Sequence, residues 1–210
     1  MPYRKLHIPS NTSPRVKALV RNLEDLYLRD VHCMLRLPEP DYGLSAGCNF
    51  AITQVLMGAI SGVSTTLYMP SMHGGQSGLR FKNLLVEHYP WDLEFSQSIA
   101  PKQAAEILYA VFRNPLAHDL GLGLQKKATT PKVLIKRLAT KNGTRGLPEK
   151  TIEEIESMNK RFGMSATLMV QNDATVLLVE ALYWGVRVLL ERLTKDTGRM
   201  QKAEAFLASL

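Results

Sequence analysis

Residues 42–79, YGLSAGCNFAITQVLMGAISGVSTTLYMPSMHGGQSGL, contain no Asp, Glu, Lys or Arg. Their reading decides the class of the protein. The stretch is long enough to cross a bilayer, and Gly58 and Gly62 have the small-xxx-small spacing that lets membrane helices approach closely. Against a span, Ser45, Asn49, Thr53, Gln54, Ser61, Ser64, Thr65 and Thr66 are distributed around the helix. In lipid several of them would lie in hydrocarbon, whereas the central helix of a bundle can hydrogen-bond them to its neighbours. The expectation is a buried bundle helix from about Ser45 to Tyr68, stopped at Pro70, with no membrane association.

Working outward, helical patterns stand on both sides. Upstream, Ser13-Pro14 is an N-cap with proline at the first helical position. Val16, Leu19, Val20, Leu23, Leu26, Tyr27, Val31, Met34 and Leu35 follow at helical spacing and end before Pro38. Arg21, Glu24, Asp25 and Arg29 form the expected solvent face. Downstream, His73-Gly74-Gly75-Gln76-Ser77-Gly78 lacks the full spacing of a phosphate loop and reads as a plain turn and cap. It leads into a shorter helix through Leu84, Leu85 and Val86, broken at Pro90-Trp91. A further helix is expected with Ser98 as cap, Pro101 in its first turn, and Ala104, Ala105, Ile107, Leu108, Val111 and Phe112 as its apolar face.

Beyond Gly123 the character changes. Val133-Leu134-Ile135 and Thr167-Leu168-Met169-Val170 are short apolar runs bounded by turn residues. They are expected to pair as a two-stranded ribbon, with Asn142-Gly143 as a turn and a helix near Pro148 to Lys160 between them. Asp173 is expected to cap a long apolar helix from Val176 to Leu193 that contains Tyr183 and Trp184, a core or dimer contact. A last short helix starts at about Arg199. Met57, Met69, Met72, Met164 and Met169 read as core filler.

The fold class is therefore mainly α: one bundle-like domain over residues 1–210, with a small β-ribbon and helix inserted at 125–172. A chain of 210 residues, 45% of them hydrophobic, can bury one core of that kind. Cys33 and Cys48 fit neither a disulfide framework nor a metal-ligand spacing. The start of the chain has no apolar core of the signal-peptide kind. A cytoplasmic protein is expected, with no metal and no cofactor.

Charge is concentrated in that insertion. Between Leu120 and Pro148 stand Lys126, Lys127, Lys132, Lys136, Arg137, Lys141 and Arg145, with no acid among them. The chain has 26 basic and 19 acidic residues, so without these seven the two signs balance. Such a segment attracts polyanions through their phosphates. It lacks aromatic residues for base stacking, and a solvated insertion has the same composition.

The chemistry-bearing group is Arg113-Asn114-Pro115-Leu116-Ala117-His118, which sets a cation, an amide and an imidazole within one or two helical turns. Pro115 disfavours the α conformation at Asn114 and should end the helix there. Cleaving RNA through its own 2′-hydroxyl needs a base for that proton, a cation for charge building on the phosphate, and an acid for the leaving 5′-oxygen. Histidine titrates in the right range for acid or base, and the arginine fork suits phosphate. Asn114 is placed to orient the phosphate or to fix the imidazole tautomer. An ordinary helix end, with Arg113 near the negative pole of the helix dipole and His118 bonded to a neighbour such as Asp119, uses the same residues.

The six residues resemble the Arg-polar-x-x-x-His motif of the HEPN superfamily. The similarity is tightest over about residues 100–124 and looser over the helices on either side. The resemblance implies a HEPN-like helical bundle and a metal-independent endoribonuclease, of the toxin or defence kind, working as a homodimer with two copies of the motif facing across a cleft. Arg113, Asn114 and His118 would be its catalytic residues, RNA its substrate, and an antitoxin-like protein its partner. Many members of the superfamily are instead RNA-binding or interaction modules without demonstrated chemistry.

Overall fold

The structure, a computed structural model, describes residues 3, 5–36, 48–70, 76–94, 99–114, 132–136, 166–171 and 174–210. These form a predominantly helical body with a small sheet. Helix α1 runs over Pro14–Leu23, then through a wide π-turn at Glu24–Leu28, and on as Arg29–Arg36. Helix α2 covers Asn49–Val63 and a π-turn at Ser64–Tyr68. Helix α3 is Ser77–His88, and α4 is Pro101–Ile107 continued by a π-turn at Leu108–Arg113. The chain closes with α5, Val179–Lys195, and α6, Thr197–Ala208.

Side chains cap two of the helix starts. Ser13 accepts a hydrogen bond from the Val16 amide ahead of Pro14, and Asp196 does the same for Arg199. Helix α4 begins at Pro101 with Ala100 in the cap position. Ser98, the expected cap, stands two residues too early and lies outside the described residues.

The sheet corrects the expected ribbon. Strands β1, Lys132–Lys136, and β2, Leu168–Gln171, do not pair with each other. A third strand, β3, Ala174–Leu178, lies between them, parallel to β1 and antiparallel to β2. The expected helix from Val176 is therefore strand up to Leu178 and helix only from Val179. Asp173 lies outside the described residues, and no side chain caps α5. The reason is burial: every residue of β3 is buried, and a short apolar run buried on both faces carries no period to tell strand from helix. Leu168 and Leu177 join the main core, whereas Val176 and Leu178 form a second cluster with Ala181, Leu134 and Met169.

The central helix is α5, against which α2 and α3 pack and beside which α6 lies. Every residue from Val179 to Leu190 is buried, including Glu180 and Arg187. The Arg187 guanidinium lies 5.0 Å from the Tyr3 ring centre and 5.6 Å from those of Tyr183 and Trp184, a setting that compensates a desolvated cation. Tyr183 and Trp184 are core residues of the chain itself. The charge-free α2, expected at the centre, is half buried: 50% of its apolar window is enclosed. By length and composition it is the one described helix able to cross a membrane. Its inner face, with Ile52, Leu56, Ile60 and Val63, nevertheless packs into the bundle core. Its hydroxyls mostly serve its own backbone: Thr53, Ser64, Thr65 and Thr66 donate to carbonyls three or four residues earlier. Met69, expected as core, is 39% exposed.

Glu24 also departs from expectation. It stands in the π-turn of α1, 1% exposed rather than on the solvent face. Its carboxylate accepts from the Leu6 amide at 2.5 Å, the Tyr3 hydroxyl at 3.2 Å and Arg21 at 2.5 Å. The incoming N-terminal segment has backbone donors to satisfy and Arg21 balances the charge, so a buried carboxylate is stabilised there.

One polar clasp ties the sheet to the bundle. Thr167, just before β2, donates its amide (3.1 Å) and hydroxyl (2.5 Å) to Glu94. The Tyr89 hydroxyl shares a hydrogen bond with Thr167 Oγ1 (2.5 Å) and reaches the Ala181 carbonyl at 3.3 Å. Tyr89 fits because residue 185 is glycine: a β-carbon there would stand 1.9 Å from the phenolic oxygen. Burial pushes the Glu94 carboxyl up to about 7, against the two Thr167 hydrogen bonds that favour its charged form.

Two stability predictions follow from the clasp. A carboxyl whose pKa is raised on folding holds its proton in the folded state after the unfolded chain has released it, so stability falls as pH rises from about 4.5 to about 7. Glu94 should therefore make the protein roughly 3 kcal/mol less stable at about pH 8 than at about pH 4.5, other groups being equal. Glu94→Gln should flatten this slope in urea unfolding series across that range; an unchanged slope would exclude Glu94 as its source. Separately, Gly185→Ala should cost about 3 kcal/mol or more through overpacking. Gly58→Ala, where an added methyl meets nothing within 4 Å, should be neutral or stabilising by up to about 1 kcal/mol, and equal effects at the two sites would contradict the packing.

Candidate active site at the end of α4

Arg113 is the last residue of the π-turn that ends α4, and Asn114 follows it in helical conformation (φ −65°, ψ −52°). The expected break before Pro115 is thus not made at Asn114. Its amide donates to the Tyr109 carbonyl, the wide π pattern, and that bond offsets the modest local preference against α before proline. His118 lies outside the described residues.

The helix is anchored by Ala104, Ala105, Leu108 and Phe112, all buried in the main core. Arg113 consequently emerges half-buried beside α2. Its Nε donates to Ser61 Oγ at 3.3 Å, and its Nη1 to Asn114 Oδ1 at 3.2 Å. Its guanidinium carbon stands 5.7 Å from the Tyr109 ring centre, one helical turn back. Tyr109 is itself held. It contacts Phe81 at 5.6 Å between ring centres, has Lys82 Nζ 5.6 Å from its own, and lies so close to Gly78 that a β-carbon there would be 2.6 Å from the phenol.

The electrostatic character of this corner follows from who is paired with whom. Lys82 bonds Glu106 at 2.7 Å, Arg21 bonds Glu24, Arg192 bonds Asp92, and Arg199 bonds Glu87. Arg113 has no carboxylate partner among the described residues; its acceptors are a hydroxyl and an amide, both neutral. Among the described residues its positive charge is therefore oriented but not cancelled. Such a group can bind an anion without first breaking an ion pair.

Of the expected cationic residues, Lys132 opens β1 and Lys136 closes it, Lys136 being exposed. Lys126, Lys127, Arg137, Lys141 and Arg145 lie outside the described residues. Among the described residues no three His, Cys, Asp or Glu side chains come together as a metal site. Two other histidines belong to structural clusters. His88 packs edge-on against Tyr68, and burial first, then Arg199, lower its pKa. His32 lies edge-on to Tyr3.

Reading the chain missed Ser61 and Tyr109. Tyr109 had a usable signal, since four-residue spacing on a helix stacks its ring beside Arg113. Ser61 had none, being 52 positions away and one of several hydroxyls on the same helix. Compared with protein-family models, curated proteins and solved structures, the chain matches none of them, so its functional reading rests on this geometry and on its motif.

Proposed function

We propose that the protein is a metal-independent endoribonuclease of HEPN type, acting in the cytoplasm as a homodimer in toxin or defence biology. The observation that carries the reading is the half-buried Arg113, held by Ser61 and Asn114 with no carboxylate among the described residues to neutralise it. In this reading Arg113 binds the scissile phosphate and stabilises the charge that builds on its oxygens. His118 takes the 2′-hydroxyl proton, the 2′-oxygen attacks phosphorus, and the bond to the 5′-oxygen breaks. The leaving oxygen needs a proton, which the His118 of a second copy can supply, so a dimer completes the acid–base pair. Asn114 helps to orient Arg113. The basic residues Lys126, Lys127, Lys132, Lys136, Arg137, Lys141 and Arg145 draw in the RNA backbone, and an antitoxin-like partner would be one that covers this corner.

Incubating the purified protein with RNA in EDTA tests the reading. Arg113→Ala and His118→Ala should each lower the cleavage rate about 100-fold or more. Cleavage that survives either substitution would remove the site, and salt-sensitive binding without cleavage in the unaltered protein would make this an RNA-binding module instead. Neutralising Lys126, Lys127, Lys132 and Lys136 together should weaken RNA binding and flatten the plot of log affinity against log salt by about 3. Unchanged affinity would reduce the segment to a solvated insertion.

A further inference from the structure

The side-chain hydroxyls of α2 divide into two kinds. Thr53, Ser64, Thr65 and Thr66 donate back along their own helix, as hydroxyls in helices commonly do. Ser61 is different: its Oγ accepts from Arg113 Nε, across the gap between α2 and α4. Its carbonyl, meanwhile, accepts the hydroxyls of Ser64 and Thr65. Ser61 stands one turn before the π-turn of α2 and faces the π-turn of α4, where those two elements touch. We propose that Ser61 is a positioning residue for Arg113, setting the plane of its guanidinium for phosphate.

The geometry restricts each part of the guanidinium separately. Ser61 holds Nε, Asn114 holds Nη1, and Tyr109 sits beside the group at 5.7 Å. Nη2 has no protein partner among the described residues and is the atom left for an incoming anion. A long arginine side chain left loose loses rotamer freedom when it binds. One already held by a hydroxyl has given up part of that freedom on folding, and the gain appears in the rate of the chemical step. A neutral acceptor suits this role, because a carboxylate at residue 61 would cancel the charge that phosphate needs.

This inference rests on the ribonuclease reading, and its test separates the two. Ser61→Ala should lower kcat for RNA cleavage about tenfold with KM little changed, while Ser61→Thr, which keeps the hydroxyl, should restore most of the rate. In the same variants the Arg113 Nε–H, followed by 15N NMR, should exchange faster with water in Ser61→Ala and return toward the unaltered value in Ser61→Thr. Should Ser61→Ala cleave at the unaltered rate while Arg113→Ala is inactive, the positioning role is wrong and the ribonuclease reading stands. Should the unaltered protein not cleave RNA, that reading falls, and unchanged Nε–H exchange in Ser61→Ala would overturn the positioning contact as well. Equal loss of rate and of melting temperature in both Ser61 variants would mark a folding effect and also overturn it.

Discussion

Burial of α5 on every side from Val179 to Leu190 is the constraint around which the other elements are arranged. A helix with no solvent face must have all its polar side chains satisfied from its neighbours. Arg187 is surrounded by Tyr3, Tyr183 and Trp184, so the N-terminal segment that carries Tyr3 has to lie over the bundle. That segment in turn needs an acceptor for the Leu6 amide, and the buried Glu24 in the π-turn of α1 supplies it. On the far side Gly185 admits the Tyr89 phenol, which reaches Thr167 and so fastens the sheet.

The π-turns connect this packing to the candidate site. Each inserts extra width into a helix, shifting which side chains face inward. In α1 the widening accompanies a buried Glu24, and in α4 it ends at Arg113, held between the core-anchoring Phe112 and the surface. Four cations of the bundle, Arg21, Arg199, Arg192 and Lys82, are paired with the acids Glu24, Glu87, Asp92 and Glu106. Among the described residues Arg113 is served instead by neutral oxygens, those of Ser61 and Asn114.

Much of the helical layout was legible because it is locally encoded. Ser13-Pro14 starts α1, Pro70 follows the end of α2, and the apolar spacing from Ala104 to Phe112 builds the inner face of α4. The failures have physical causes. Glu24 looked exposed because a charge in an amphipathic pattern normally is, and only the chain crossing over it provides the compensating donors. The charge-free α2 looked more central than α5, because polarity along a chain does not reveal which charges will find buried partners.

For the candidate site the division falls in the same place. The order of residues determined that Arg113, Asn114 and His118 are close in the chain, that Arg113 sits at the end of an amphipathic helix, and that the net positive charge gathers between Leu120 and Pro148. Those are short-range properties, set by helical spacing and composition. Tertiary structure alone decided that β3 separates β1 from β2, that the half-buried Glu94 meets Thr167, and that Ser61 meets Arg113. Each of these depends on contacts between segments far apart in the chain, whose energies come from burial and partner geometry rather than from any local pattern.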